Sequence, residues 1–147
     1  MKKYILVFFM VLILGLISSI HPVYALNDTA SSSIVMDISS GRILYEKNSH
    51  SQRLIASTTK IMTCILAIEN GNLDDTVQVG EEVLKMYGSN IYLELGEKMT
   101  LKDLLYGMML RSGNDAATVI ATYIGKDQET FVEMMNQKAK EIGMQDT

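Results

Sequence analysis

Apolar positions along this chain change their period twice. From Tyr4 to Ile20 they form one long run, preceded by Lys2 and Lys3 and followed by Pro22 and Val23-Tyr24-Ala25. A basic start, an apolar middle and a small-residue exit describe a secretory leader, with cleavage expected after Ala25. The run is long for such a leader, so an uncleaved N-terminal anchor is the alternative. Residues 1–25 are thereby set apart from 26–147, and either outcome places the remainder outside the cytoplasmic membrane.

The polar stretch Leu26 to Ser32 leads into Ser33–Asp37 and Arg42–Glu46, two short apolar segments flanking Ile38-Ser39-Ser40-Gly41. Serines and a glycine suit a tight reversal, so a β-hairpin is expected. Past Arg53 the period becomes helical. One apolar helix runs through Ile61 to Ile68 and stops near Asn70-Gly71. Leu73 to Glu97 has no sustained period, and short strands and turns are expected around Tyr87-Gly88-Ser89-Asn90 and Leu95-Gly96-Glu97. Thr100 with Asp103 makes a capping box, after which Leu101, Leu104, Leu105 and Met108 recur at helical spacing. A third helix, Ala116 to Ile124, stops at Gly125. Asp127 opens a fourth with an apolar side of Phe131, Met135, Ala139 and Ile142. The fold class is α/β in the α+β sense, a hairpin followed by a helical subdomain.

Composition narrows the chemistry. With 147 residues, 48% hydrophobic and 20% charged, the chain suits at most one soluble domain with a core. Its net charge of −4, without a basic cluster or interleaved aromatics, gives no support for nucleic-acid binding. Cys64 is the single cysteine, which excludes an intrachain disulfide and a cysteine-rich metal site. At seven residues after Ser57, among Ile61, Ile65 and Ile68, it is read as core. The methionines, 11 in all, are read as core filler where they fall at helical spacing. His21 lies in the leader and His50 in a polar turn, leaving no histidine pair for a metal or a Ser-His-Asp triad.

Two segments carry candidate chemistry. Ser57-Thr58-Thr59-Lys60 puts a hydroxyl and an amine three residues apart at the expected start of the first helix, where i and i+3 share a face. Free N–H groups at a helix start favour developing negative charge, so Ser57 is a candidate nucleophile and Lys60 its candidate base. Alone, the pattern equally fits a serine that caps a helix bearing a solvated lysine. Further on, Ser112-Gly113-Asn114 can offer a hydroxyl and an amide to one cleft. Alone, it equally fits a loop in which Asn114 or Asp115 caps the next helix.

Together, Arg53-Leu54-Ile55-Ala56-Ser57-Thr58-Thr59-Lys60-Ile61-Met62-Thr63, Leu104-Leu105 and Ser112-Gly113-Asn114-Asp115-Ala116-Ala117 resemble the serine-type D-alanyl-D-alanine carboxypeptidases, low-molecular-mass penicillin-binding proteins. The resemblance runs from about Ser33 to the C-terminus and includes Phe131, Met135-Asn136-Gln137-Lys138-Ala139 and Gly143-Met144. It implies part of a penicillin-binding-protein/β-lactamase-like transpeptidase fold. It also implies an acyl-enzyme on Ser57, Lys60 as general base, Ser112 returning a proton to the leaving amine, and Asn114 holding the substrate amide. The implied partners are peptidoglycan stem peptides ending in D-Ala-D-Ala and, as covalent inhibitors, β-lactams. Neither a metal nor an organic cofactor is implied, and membrane contact is expected only through the N-terminal segment.

The family's third motif, K-T-G or a close variant, does not occur in the 147 residues. In the family it lies on a downstream sheet strand and is followed by a second oxyanion donor, whose loss typically costs about 10²–10³ in rate. The expectation is therefore an N-terminal fragment that lacks C-terminal sheet strands and is inactive by itself. Two alternatives stand beside it. A class A β-lactamase-like hydrolase shares S-x-x-K but usually has Asp where Gly113 stands. A non-catalytic penicillin-recognising module, such as a sensor domain, usually follows several membrane spans.

Overall fold

A computed structural model describes residues 3–4 and 28–145. Apart from Lys3 and Tyr4, the expected leader with its cleavage point after Ala25 and its anchor alternative lies outside the described residues, as does His21. The chain divides into two compact units, Met1–Ser51 and Gln52–Thr147.

In the first unit, β1 (Ser33–Met36) and β2 (Ile43–Lys47) form the expected antiparallel hairpin. The register runs from Ser33 opposite Lys47 to Val35 opposite Tyr45, then shifts so that Met36 faces Ile43. Leu44 is left as the extra residue of a bulge. The reversal is built by Asp37, whose Oδ1 accepts the Ser39 and Ser40 amides, both at 2.8 Å. Its backbone closes the loop with Arg42 and Gly41. Gly41 takes φ +70, which a residue lacking Cβ reaches without strain. At the open end, Lys47 Nζ donates to the Asp28 carbonyl at 2.8 Å and Ser33 Oγ donates to the Asp28 carboxylate.

The second unit is helical. A 3-10 turn, Ala56–Thr58, runs into α1 (Thr59–Asn70). Strands β3 (Thr76–Gln78) and β4 (Lys98–Thr100) form a short antiparallel ladder. Between them lie a 3-10 segment, Glu81–Lys85, and an irregular stretch, as the absence of a period foretold. Helices α2 (Leu101–Arg111), α3 (Asn114–Gly125) and α4 (Gln128–Glu141) follow. Thr100 caps α2 as expected, its Oγ1 accepting the Asp103 amide at 3.1 Å, while the return bond of the box comes from its hydroxyl, which donates to Asp103 Oδ2 at 2.7 Å. Asp127 caps α4 by accepting the Thr130 amide at 2.7 Å.

The core gathers Ala67 from α1, Val77 and Val79 near β3, the anticipated Leu101, Leu104, Leu105 and Met108 stripe of α2, and Ala116, Val119 and Ile120 of α3. Phe131 and Ala139 are buried from α4, but Ile142 is exposed because it lies just past the helix end. Cys64 packs partly buried against the core, and burial pushes its thiol pKa up. Its expected companions Ile61 and Ile68 are exposed instead. Helix α1 is apolar on more than one face, and it turns Thr63, Leu66 and Ala67 inward. Among the described residues, no helix is long and apolar enough to cross a membrane.

Candidate active site

Helices α2 and α3 are joined by only two residues, Ser112 and Gly113, and this short corner aims chemistry at the start of α1. Ser112 closes α2 with left-handed backbone, φ 56. That conformation usually falls to glycine at a helix end. Ala56, immediately before Ser57, is also left-handed at φ 47. Non-glycine residues held there cost of order 1–3 kcal/mol each and persist only where surrounding structure imposes them. Here the strained positions bring two hydroxyls together: Ser112 Oγ donates to Ser57 Oγ at 2.8 Å. On the other side of Ser57, Thr58 Oγ1 donates to the Ile55 carbonyl at 2.6 Å and fixes the 3-10 turn.

Lys60, the second residue of α1, points into the same corner. Its Nζ donates to Ser112 Oγ at 3.1 Å, to the Ser112 carbonyl at 2.9 Å and to Asn114 Oδ1 at 2.6 Å. The expected neighbourhood of Ser57 and Lys60 exists, and the hydrogen-bonded path between them passes through the Ser112 hydroxyl. Half-burial of Lys60 pushes its pKa below the ordinary lysine value, against the opposing pull of the Asp115 charge. A lysine so placed is a better proton acceptor near neutral pH than a free one. Three acceptors saturate its three N–H bonds, which locks its orientation.

Asn114 is the first residue of α3, and both ends of its amide are engaged. Oδ1 faces Lys60, while Nδ2 donates to the Tyr87 carbonyl at 2.6 Å. The second Nδ2 hydrogen is the donor left for a bound carbonyl. An open groove of about 400 Å³ leads away from these groups, lined by Ser57, Lys60 and Asn114 at one end and by Ala121, Phe131 and Met135 further along. All four residues singled out in the sequence thus meet at one place. Among the described residues, no group of three His, Cys, Asp or Glu side chains could hold a metal ion.

The sequence reading missed the support of this corner. Segment 87–93, read as short strands and turns, supplies a carbonyl to Asn114 and backbone amides to Asp115. Its one visible signal is the cluster Gly88-Ser89-Asn90, which marks a turn without saying what the turn touches.

Comparison with known proteins shows the family and the fold. Residues 21–147 match the family model described as D-alanyl-D-alanine carboxypeptidase. The carboxypeptidase DacF of Bacillus subtilis is 42% identical over 123 residues, 80% of this chain and 32% of that protein. The solved DacD carboxypeptidase of Francisella tularensis superposes with a TM-score of 0.79 at 38% identity, covering 87% of this chain and 32% of its own. Penicillin-binding protein 5 of Haemophilus influenzae superposes with a TM-score of 0.77 at 31% identity, covering 86% of this chain and 39% of its own. The chain spans about a third of the length of the curated relatives it matches.

Proposed function

The chain belongs to the D-alanyl-D-alanine carboxypeptidase family, and from that premise we propose that it supplies the nucleophile and proton relay for cleaving D-Ala-D-Ala ends of peptidoglycan stem peptides. The observation that carries the reading is the hydrogen-bonded path from Lys60 through Ser112 to Ser57 at the mouth of an open groove. Extracytoplasmic action follows from the substrate, since the peptidoglycan wall lies outside the cytoplasmic membrane. β-Lactams would acylate the same serine, in keeping with the penicillin-binding relative.

The steps follow from the donors and acceptors present. With Lys60 neutral, the Ser112 hydroxyl turns to donate to Nζ and the Ser57 hydroxyl donates to Ser112 Oγ. As Ser57 Oγ bonds to the carbonyl carbon of the penultimate D-alanine, its proton passes to Ser112 while the Ser112 proton passes to Lys60. The oxyanion forms beside the start of α1, where helix N–H groups favour negative charge. On collapse the C–N bond breaks, the leaving D-alanine amine takes a proton from Ser112, and Lys60 resupplies it. The ester on Ser57 is then hydrolysed by water, releasing the shortened peptide. Throughout, the free hydrogen of Asn114 Nδ2 holds a carbonyl of the substrate backbone.

Labelling with a fluorescent penicillin, followed by mass spectrometry of the adduct, tests the assignment in the protein expressed from its own gene. One acyl group on Ser57, lost in Ser57→Ala, is the expected result. Persistent labelling of Ser57→Ala would show that the nucleophile lies elsewhere.

A further inference from the structure

The mechanism above leaves one buried carboxylate without a task. Asp115, the residue after Asn114, is only 3% exposed. Its Oδ1 accepts the Ile91 amide at 3.1 Å and the Ala116 amide at 2.8 Å, and its Oδ2 accepts the Leu93 amide at 3.0 Å. The pairing is returned by Asn90 Oδ1, which accepts the Asp115 amide at 3.2 Å. The same stretch meets Asn114 twice more, through the Ser89 carbonyl at 2.7 Å to its backbone amide and the Tyr87 carbonyl at 2.6 Å to its side chain.

Residues 87–93 are not in a helix or strand, so these amides have no sheet partner. The carboxylate takes the place of one. Gly113 makes room for it: a Cβ there would sit 3.0 Å from Asp115 Oδ1 and 3.1 Å from Ile91 Cγ2. At the other end of the assembly, Asn114 Oδ1 holds Lys60. A displacement of segment 87–93 therefore reaches the base through a single side chain.

Resting on the carboxypeptidase reading, we propose that Asp115 is a positioning residue of this site, clamping segment 87–93 so that Asn114 and Lys60 keep the geometry needed for acylation. The clamp also has an electrostatic signature. Among the described residues, Asp115 is the charge that acts on Lys60; the groove walls otherwise offer neutral groups, Thr59 and Thr63 from α1, Asn114 and Thr118 from α3, and Gln128 from α4. Removing that charge while keeping the side chain's shape leaves Lys60 easier to deprotonate.

Asp115→Asn keeps one carbonyl acceptor and loses the charge and the second acceptor. Two measurements on the full protein decide the proposal. In amide hydrogen exchange, Asp115→Asn is expected to speed exchange across residues 91–93 while α2 stays protected. In acylation by a fluorescent penicillin, it is expected to lower the second-order rate by about 10–100-fold, the range for small misplacement of reacting groups. Its acid limb is also expected to shift to lower pH. A purely structural carboxylate would lower thermal stability and leave the acylation rate of the folded variant unchanged, which would overturn the proposal, as would unchanged exchange at 91–93. Should Asp115→Asn fail to fold, Asn90→Ala serves: it keeps the charge and weakens the clamp, so the rate falls and the limb stays. Unchanged exchange and rate in Asn90→Ala would count against the clamp. Absence of any Ser57 adduct in the unmutated protein would sink the carboxypeptidase reading, while the exchange experiment would still decide the clamp.

Discussion

The hairpin of residues 33–47 and the helical unit that follows are held together by bonds of different reach. In the hairpin, Asp37 bonds to Ser39 and Ser40, two and three residues away, and apolar residues on both strands, such as Ile34, Val35 and Leu44, remain about half exposed. Its register is dictated by its turn. In the helical unit, Lys60 bonds to Ser112 and Asn114, 52 and 54 residues away, and the helices carrying them share a buried core. The difference teaches that turn chemistry can shape a ribbon without a core. Placing a base against two hydroxyl- and amide-bearing residues requires one.

The largest effect expected from this contrast is on chemistry. Lys60→Ala should reduce penicillin acylation on the order of 10³-fold, since it removes the proton acceptor and the anchor of Asn114 together. In the unmutated protein the acylation rate should rise with pH along a limb lying below the ordinary lysine value of 10.5, because burial depresses the Lys60 pKa and only neutral Lys60 accepts a proton. A pH-rate profile without that limb would remove Lys60 from the role of base.

Next in size is the core beneath the groove. Phe131 is 2% exposed and lines the groove that begins at Ser57. Phe131→Ala should cost about 3–5 kcal/mol in denaturant unfolding and reduce acylation as well. Full acylation in a strongly destabilised variant would mean that the site does not depend on the core.

Smaller still, Thr100→Ala removes the cap of α2 and should cost about 1 kcal/mol of stability, with the acylation rate changed less than twofold. The smallest effect belongs to the hairpin. Asp37→Ala should speed amide exchange at Ser39 and Ser40 and leave acylation unaltered. The Ser40 amide, chiefly, holds the Asp37 pKa below its ordinary 3.8. The charged carboxylate's contribution is therefore present above that value and is lost as pH falls through the lower folded pKa. Exchange protection at Ser40 in the unmutated protein should fade in that acid range. Loss of acylation in Asp37→Ala would break the separation drawn between the two regions.

Much of the secondary structure was legible because it rests on local signals. Ser39, Ser40 and Gly41 announced the hairpin, Thr100 and Asp103 the start of α2, and Asp127 and Gly125 the boundary between α3 and α4. Which side of α1 turns inward was not legible. Apolar residues occupy more than one of its faces, and packing against α2 and α3 chose Thr63, Leu66 and Ala67 over Ile61 and Ile68. Segment 87–93 was illegible for a related reason: its amides are satisfied by a side chain more than 20 residues away, and no period in the sequence records such a partner.

The sequence by itself determined the chemical inventory: a hydroxyl and an amine three residues apart at a helix start, and a second hydroxyl with an amide two residues beyond it. Tertiary structure decided how these groups are wired. It set Ser112 between Lys60 and Ser57, turned Asn114 Oδ1 toward the base, and buried Asp115 against segment 87–93. The physical reason is range. Helix spacing and turn preference act over a few residues, whereas contacts across some 20 to 55 residues form only when a packed core repays the entropy of closing so long a loop.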